Sequence, residues 1–331
     1  MTDDARVGTT VGRFRIDALV GDGATGTVYK AEDLTLQRQV AVKIIHKRLA
    51  QDRGTVKRFG REARAASHLK HPNCIEIFDV GETDDGVPFM AMDYVDGLDL
   101  ATVLEAKIPL EAKRVVRIIK QVAHALAAAH EKGIVHRDIK PENIMLSQRP
   151  HPDSVKVLDF GIVKILAKSP VANDSYETLA GRICGTPEYM SPEQTENKPI
   201  DGRSDLYSLG VLLYELLTGR APFEGKGPVA VLRQHLTKNP APPSELNPNI
   251  HPKLEHLTLW LLTKNPEQRP ADAKTVITML DAIDVELTRG PTPRRRLTQP
   301  MLALRQHPTR YLLITALVLV VTAVIVIAVL V

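Results

Sequence analysis

Residues 133–145 read GIVHRDIKPENIM, which sets His136, Arg137, Asp138, Lys140 and Asn143 within eight positions. The stretch is too polar for a core strand and too rich in distinct hydrogen-bonding groups for a plain connector. Phosphoryl transfer would use three of these groups. A hydroxyl that attacks a phosphoryl group needs a carboxylate to orient it and take its proton, which Asp138 supplies. Charge developing on the phosphoryl oxygens needs a nearby cation, which Lys140 supplies. A magnesium ion bridging phosphates needs oxygen ligands. Asn143 offers one, and Asp159, which closes the apolar run VKVLDFG over 155–161, offers a charged second.

Two earlier segments belong to the same chemistry. GDGATGTV, residues 21–28, spaces Gly21, Gly23 and Gly26 as in phosphate-binding turns. Alone, this pattern is weak, because dinucleotide-binding turns use the same glycines and a plain glycine-rich hairpin is the better reading of the motif in isolation. The β-rich TVYKAED that follows favours a hairpin whose bare backbone lies over phosphates, rather than a helix N-terminus aimed at them. Lys43 sits mid-strand in VAVKII, where burial is costly unless the ammonium meets anions. Nucleotide phosphates and a carboxylate are the expected partners. Between Asp52 and Glu76 the one acid is Glu62, within the predicted helix VKRFGREARAASHLK. A Lys43–Glu62 pair is therefore expected, with an exposed surface glutamate as the bland alternative.

The elements that must position these groups fall into two regions. From Phe14 to about Met92, the short runs FRIDALVG, GTVYKAED, RQVAVKII, CIEIFDVG and PFMAMDY read as strands, interrupted by a helix near Val56 to Leu69. From Leu98 to Asp284 helices dominate, over Leu110–Lys132, Arg203–Thr218, Pro228–Thr237, Leu254–Leu262 and Ala271–Ile283. LYSLGVLLYELLTG is apolar on nearly all sides and reads as a buried central helix stopped at Gly219.

Composition bounds the rest. A chain of 331 residues with 44% hydrophobic and 25% charged residues is ordinary for a folded protein. Two cysteines, Cys74 and Cys184, cannot build a disulfide framework, and a reducing compartment is the natural reading. Of the 43 basic residues six are arginines within 287–310, a stretch without acids, which leaves 37 against 39 acidic residues elsewhere. That balance gives no support to nucleic-acid binding. The final stretch, YLLITALVLVVTAVIVIAVLV over 311–331, has no charge and is long enough as a helix to cross a bilayer. No apolar run stands at the N-terminus, so no secretory signal is expected. The expected organisation is an N-terminal tail over 1–13, a catalytic domain over 14–283, a basic juxtamembrane linker over 284–310 and a transmembrane helix over 311–331. Arginines on the near side of the span place the preceding domain in the cytoplasm, at the inner membrane of the cell.

Over roughly 14–283 the chain resembles eukaryotic-type protein kinases, and among them the bacterial membrane-anchored serine/threonine kinases. GDGATGTV, VAVK, HRDIKPEN, DFG, GTPEYMSPEQ, SDLYSLG and NPEQRP occur in that family's order and spacing. The resemblance implies an α+β, two-lobed kinase fold, with a β-rich N-lobe over 14–92, a hinge at 93–95 and a helical C-lobe over 96–283. It also implies ATP with Mg2+, or Mn2+ in its place. ATP would lie among Val20, Gly21, Gly23, Gly26, Val28, Ala41, Lys43, Glu62, Met92, Asp93 and Val95, with Met92 guarding the back of the pocket. Asp138 would be the catalytic base assisted by Lys140, and Asn143 and Asp159 the metal ligands. Thr186 would shape the acceptor pocket, Glu193 would pair with Arg269, and Asp205 would brace the catalytic loop. Arg137 would meet a phosphorylated activation-segment residue, with Thr178 first, then Ser175 and Ser169. Protein serine or threonine hydroxyls would be the acceptors, and a homodimer would serve autophosphorylation in trans. SPE in place of Ala-Pro-Glu, and LYSLG in place of a tryptophan-containing form, depart from the common pattern without removing a reactive group. The rival expectation is a catalytically weak, membrane-tethered scaffold that still binds ATP. Such proteins usually lack the lysine, the base or a metal ligand, and here all are present.

Overall fold

A computed structural model of the chain describes residues 4–23, 25–51, 53–160 and 186–289, excepting the side chains at 53, 55, 58, 61 and 62. The first half builds an antiparallel six-stranded sheet, β1 (Thr10–Val11), β2 (Phe14–Asp22), β3 (Gly26–Asp33), β4 (Arg38–Ile45), β5 (Ile77–Glu82) and β6 (Pro88–Asp93), ordered β1-β2-β3-β4-β6-β5. β1 lies in the stretch expected as a tail. Val11 is buried there and Asp4 accepts the Tyr29 hydroxyl at 3.0 Å, so ordered N-lobe structure begins before Phe14. The turn between β2 and β3 depends on glycine at one point. A Cβ on Gly26 would stand 2.3 Å from the Ile44 carbonyl oxygen of β4, so backbone packs where a side chain cannot fit.

Two helices, α1 (Lys47–Ala50) and α2 (Arg53–Ser67), follow β4. α2 buries Phe59, Ala63 and Ala66 in one apolar cluster with Ile75, Ile77, Met90 and Met92. The second half starts with a small sheet, β7 (Gly97–Asp99), β8 (Ile144–Ser147) and β9 (Ser154–Val157), in that order. Its helices are α3 (Leu100–Leu104), α4 (Ala112–His130), α5 (Pro192–Thr195), α6 (Gly202–Thr218), α7 (Pro228–Thr237), α8 (Pro243–Leu246), α9 (Pro252–Leu261) and α10 (Ala273–Arg289). α10 runs on past Ile283, where the sequence reading stopped it.

α6 is the axis of this half, and thirteen of its residues are buried. Its apolar residues face α4 and α9 together, so no solvent stripe remains. Asp201 caps it by accepting from the Arg203 amide at 2.8 Å. Gly219 ends it at φ 78°, where a Cβ would meet the Lys107 carbonyl oxygen at 2.5 Å. This is a two-lobed fold with a β-sheet N-lobe and a helical C-lobe, and the loop that carries His136, Asp138 and Lys140 lies between α4 and β8. Among the described residues no helix is long and apolar enough to cross a membrane, and residues 311–331 lie outside them.

Candidate active site

The N-lobe brings its predicted residues together through strand register. Val28 pairs with Lys43 across β3 and β4, and Ala41 pairs with Met92 across β4 and β6. Val28, Ala41, Met92 and Val95 then share one apolar cluster with Leu158, a residue the sequence reading did not single out. Strand alternation explains the grouping, because residues at opposed positions point to the same face. A narrow cavity lined by Ala66, Ile75, Ile77, Met90, Met92, Asp159 and Phe160 lies behind them. Asp93 ends β6, and its carboxylate accepts from Lys156 at 3.0 Å and from the Glu76 amide at 3.2 Å. Gly21 lies opposite Val28, Gly23 bonds across the turn to Gly26, and Val20 stands exposed beside them.

Lys43 is 6% exposed and donates to Asp159 at 2.5 Å, joining β4 to the segment after β9. Burial opposes the Asp159 charge, but the Lys43 ammonium, with Lys140 beyond it, outweighs it and holds the carboxyl below its ordinary range. α2 carries Glu62, whose side chain lies outside the described set, as does its expected pairing with Lys43. Ser169, Ser175, Thr178 and Cys184 lie in 161–185, also outside it.

The C-lobe groups converge on Asp138. Its Oδ2 accepts from Asn143 Nδ2 at 3.0 Å and lies 3.1 Å from Lys140 Nζ. The same Asn143 nitrogen donates to the Asp138 carbonyl at 2.7 Å, and Lys140 also donates to the Thr186 hydroxyl at 3.1 Å. Asp138, Lys140 and Thr186, the residues expected as base, cation and wall of the acceptor pocket, therefore form one chain of contacts.

The loop holds this shape because α6 grips it from below. Asp205, 1% exposed, accepts from the backbone amides of His136 at 2.8 Å and Arg137 at 2.7 Å, and faces His130 Nε2 at 2.8 Å. These bonds support an uncommon backbone at Arg137, whose φ is 67°; Asp159, at 52°, shares that left-handed conformation. His136 Nδ1 takes the Asp138 amide at 3.2 Å, so Nε2 donates to the Leu158 carbonyl at 2.7 Å, and the ring meets Phe160 edge-on. Gln194 donates to the Arg137 carbonyl at 2.8 Å. It also completes a capping box with Ser191, the serine that replaces the common alanine. Sequence reasoning missed His130, whose contact is tertiary, and Gln194, whose S-x-x-Q spacing from Ser191 was a local signal for the capping box but not for the bond to Arg137.

Glu193 and Arg269 form a buried two-pronged ion pair at 2.7 and 2.8 Å, and Ser204 donates to Glu193 at 2.5 Å. Burial opposes the Glu193 charge, but Arg269 and Ser204 prevail and lower its pKa. Cys74 is buried and its thiol is pushed up to about 12, which leaves it a packing residue.

A magnesium nucleotide fits this donor set. Asn143 spends its amide nitrogen on Asp138, which leaves the amide oxygen for a hard cation, and Asp159 adds an ionised carboxylate. Among the described residues no group of three or more His, Cys, Asp or Glu could hold a metal by itself. Two oxygen donors completed by phosphate are the usual arrangement for magnesium.

Residues 14–279 match the protein kinase domain model. The chain belongs to the protein kinase family. It is 47% identical over 297 residues to serine/threonine-protein kinase pkn3 of Myxococcus xanthus, covering 88% of this chain and 54% of that protein. It is 42% identical over 260 residues to serine/threonine-protein kinase PknB of Mycolicibacterium smegmatis, covering 78% and 40%. The chain thus spans about half the length of the curated relatives it matches. The PknI kinase domain of Mycobacterium tuberculosis superposes with a TM-score of 0.65 at 27% identity, covering 83% of this chain and 98% of that one.

Proposed function

We propose that the chain is a serine/threonine protein kinase that transfers the γ-phosphoryl group of ATP to protein hydroxyls. The observation that carries this is the contact of the Asp138 carboxylate with both Lys140 and Asn143, next to Thr186. Asp138 orients the incoming hydroxyl and takes its proton as the new O–P bond forms. The bond from the γ-phosphorus to the bridging oxygen breaks, and ADP leaves. Lys140 offsets charge on the transferring group, and Lys43 holds the nucleotide phosphates. Asn143 and Asp159 would hold magnesium, whose charge would offset that of the phosphates. Val28, Ala41, Met92, Val95 and Leu158 form the apolar seat for the base. Incubation with ATP labelled at the γ-position should place label on serine or threonine of a protein acceptor, and Asp138→Asn should abolish it. Label on tyrosine alone, or an undiminished rate in the variant, would overturn the assignment.

Regulation follows from Arg137, whose Nε is buried and lacks a hydrogen-bond partner among the described residues. A phosphate on Thr178, or on Ser175 or Ser169, would satisfy it and order the activation segment, with a second copy of the chain as the phosphorylating enzyme. Residues 311–331 serve as the membrane helix and the arginines of 289–310 as its cytoplasmic flank, which keeps the kinase domain on the ATP side. The uncharged 21-residue composition and the arginine bias support this placement.

A further inference from the structure

His46 directly follows β4, the strand that carries Lys43. Its backbone amide donates to the Thr25 carbonyl at 3.1 Å, and its ring Nε2 lies 2.7 Å from the Gly23 carbonyl oxygen. A carbonyl oxygen only accepts, so Nε2 carries a hydrogen in the neutral ring as well as in the protonated one. The same nitrogen lies 3.7 Å from the Asp22 carboxylate, which in turn accepts the Thr27 hydroxyl at 2.7 Å. One residue thus bonds to the glycine-rich turn at two places, Gly23 and Thr25. The turn's own closure is the Gly23 amide bonded to the Gly26 carbonyl at 3.1 Å.

Glycines give this turn its close approach to phosphate and also its freedom, which must be lost when a nucleotide binds. A turn already held in place loses less on binding. We propose that His46 is a positioning residue for the nucleotide, whose ring holds the glycine-rich turn over the phosphate site. Any residue at this position could make the backbone bond to Thr25, whereas the bond to Gly23 requires the ring. The inference rests on the nucleotide reading of the cleft.

The test uses the full chain with His46→Leu, His46→Asn and His46→Gln. The amide nitrogen of glutamine reaches about as far as Nε2, and that of asparagine falls short. His46→Leu and His46→Asn should each raise the KM for ATP about fivefold, the equivalent of one ordinary hydrogen bond. The KM for the protein acceptor should stay unchanged, and His46→Gln should restore most of the ATP affinity. An unchanged KM for ATP in the leucine and asparagine variants overturns the proposal. So does a rise that glutamine fails to reverse, or an equal rise in the acceptor KM. A wild-type chain that binds no ATP would overturn the nucleotide reading as well, which separates the two failures.

Discussion

At the scale of single residues, the cleft is a set of opposed charges that hold each other in place. Lys43 neutralises Asp159, while Lys140 and Asn143 restrain Asp138. That Lys43, Asp138, Asn143 and Asp159 would gather in one cleft was legible, because few chemistries use those types in that order and spacing, and the structure brings them together. The bond from Lys43 to Asp159 was not, since it spans 116 positions, and the expected Glu62 side chain lies outside the described residues. Lys43→Met should lower phosphoryl transfer by at least about 100-fold while the protein still folds. The same variant should let the Asp159 carboxyl titrate at higher pH, since burial then acts without its main opposing cation. Carboxyl-detected NMR titration reads this directly, and an unmoved Asp159 would show that the ion pair does not set its charge.

At the scale of elements, α6 and the segment around α5 form a platform beneath the catalytic loop. The apolar run over 206–219 announced a buried helix, and the structure contains it. Periodicity could not announce β1 or α1, which span only two and four residues. Nor could it reveal that Gln194 bonds to Arg137, because no local pattern marks a contact across 57 positions. The Glu193–Arg269 pair locks the platform, and Arg269→Ala leaves a buried carboxylate without its cation. Such a change costs about 3–5 kcal/mol, and denaturant unfolding should show it. The Glu193 pKa is lowered from its ordinary 4.5, so its stabilisation is present above that value and is lost as pH falls through the folded-state pKa. Wild-type stability should therefore decline below about pH 4.5 more steeply than that of Glu193→Gln, which is less stable at neutral pH. Parallel curves for the two would remove Glu193 from the acid response.

At the scale of the whole molecule, the two lobes supply different halves of the proposed reaction. In that proposal the sheet presents backbone and Lys43 to phosphate, and the helical half presents Asp138 as base and Asn143 and Asp159 as metal ligands. That division was legible from the switch between strand-like and helix-like runs near Leu98. Deleting 305–331 should release an active soluble kinase, while the intact chain should sediment with membranes and resist carbonate extraction. Intact protein in the soluble fraction without detergent would refute the membrane placement. The most direct test of the kinase assignment measures nucleotide binding and phosphoryl transfer on the same samples of wild type and Asp138→Asn. The expected result is equal ATP affinity, with labelled serine or threonine formed by the wild type alone. Transfer at the same rate in both proteins, or ATP binding without transfer in the wild type, would contradict it.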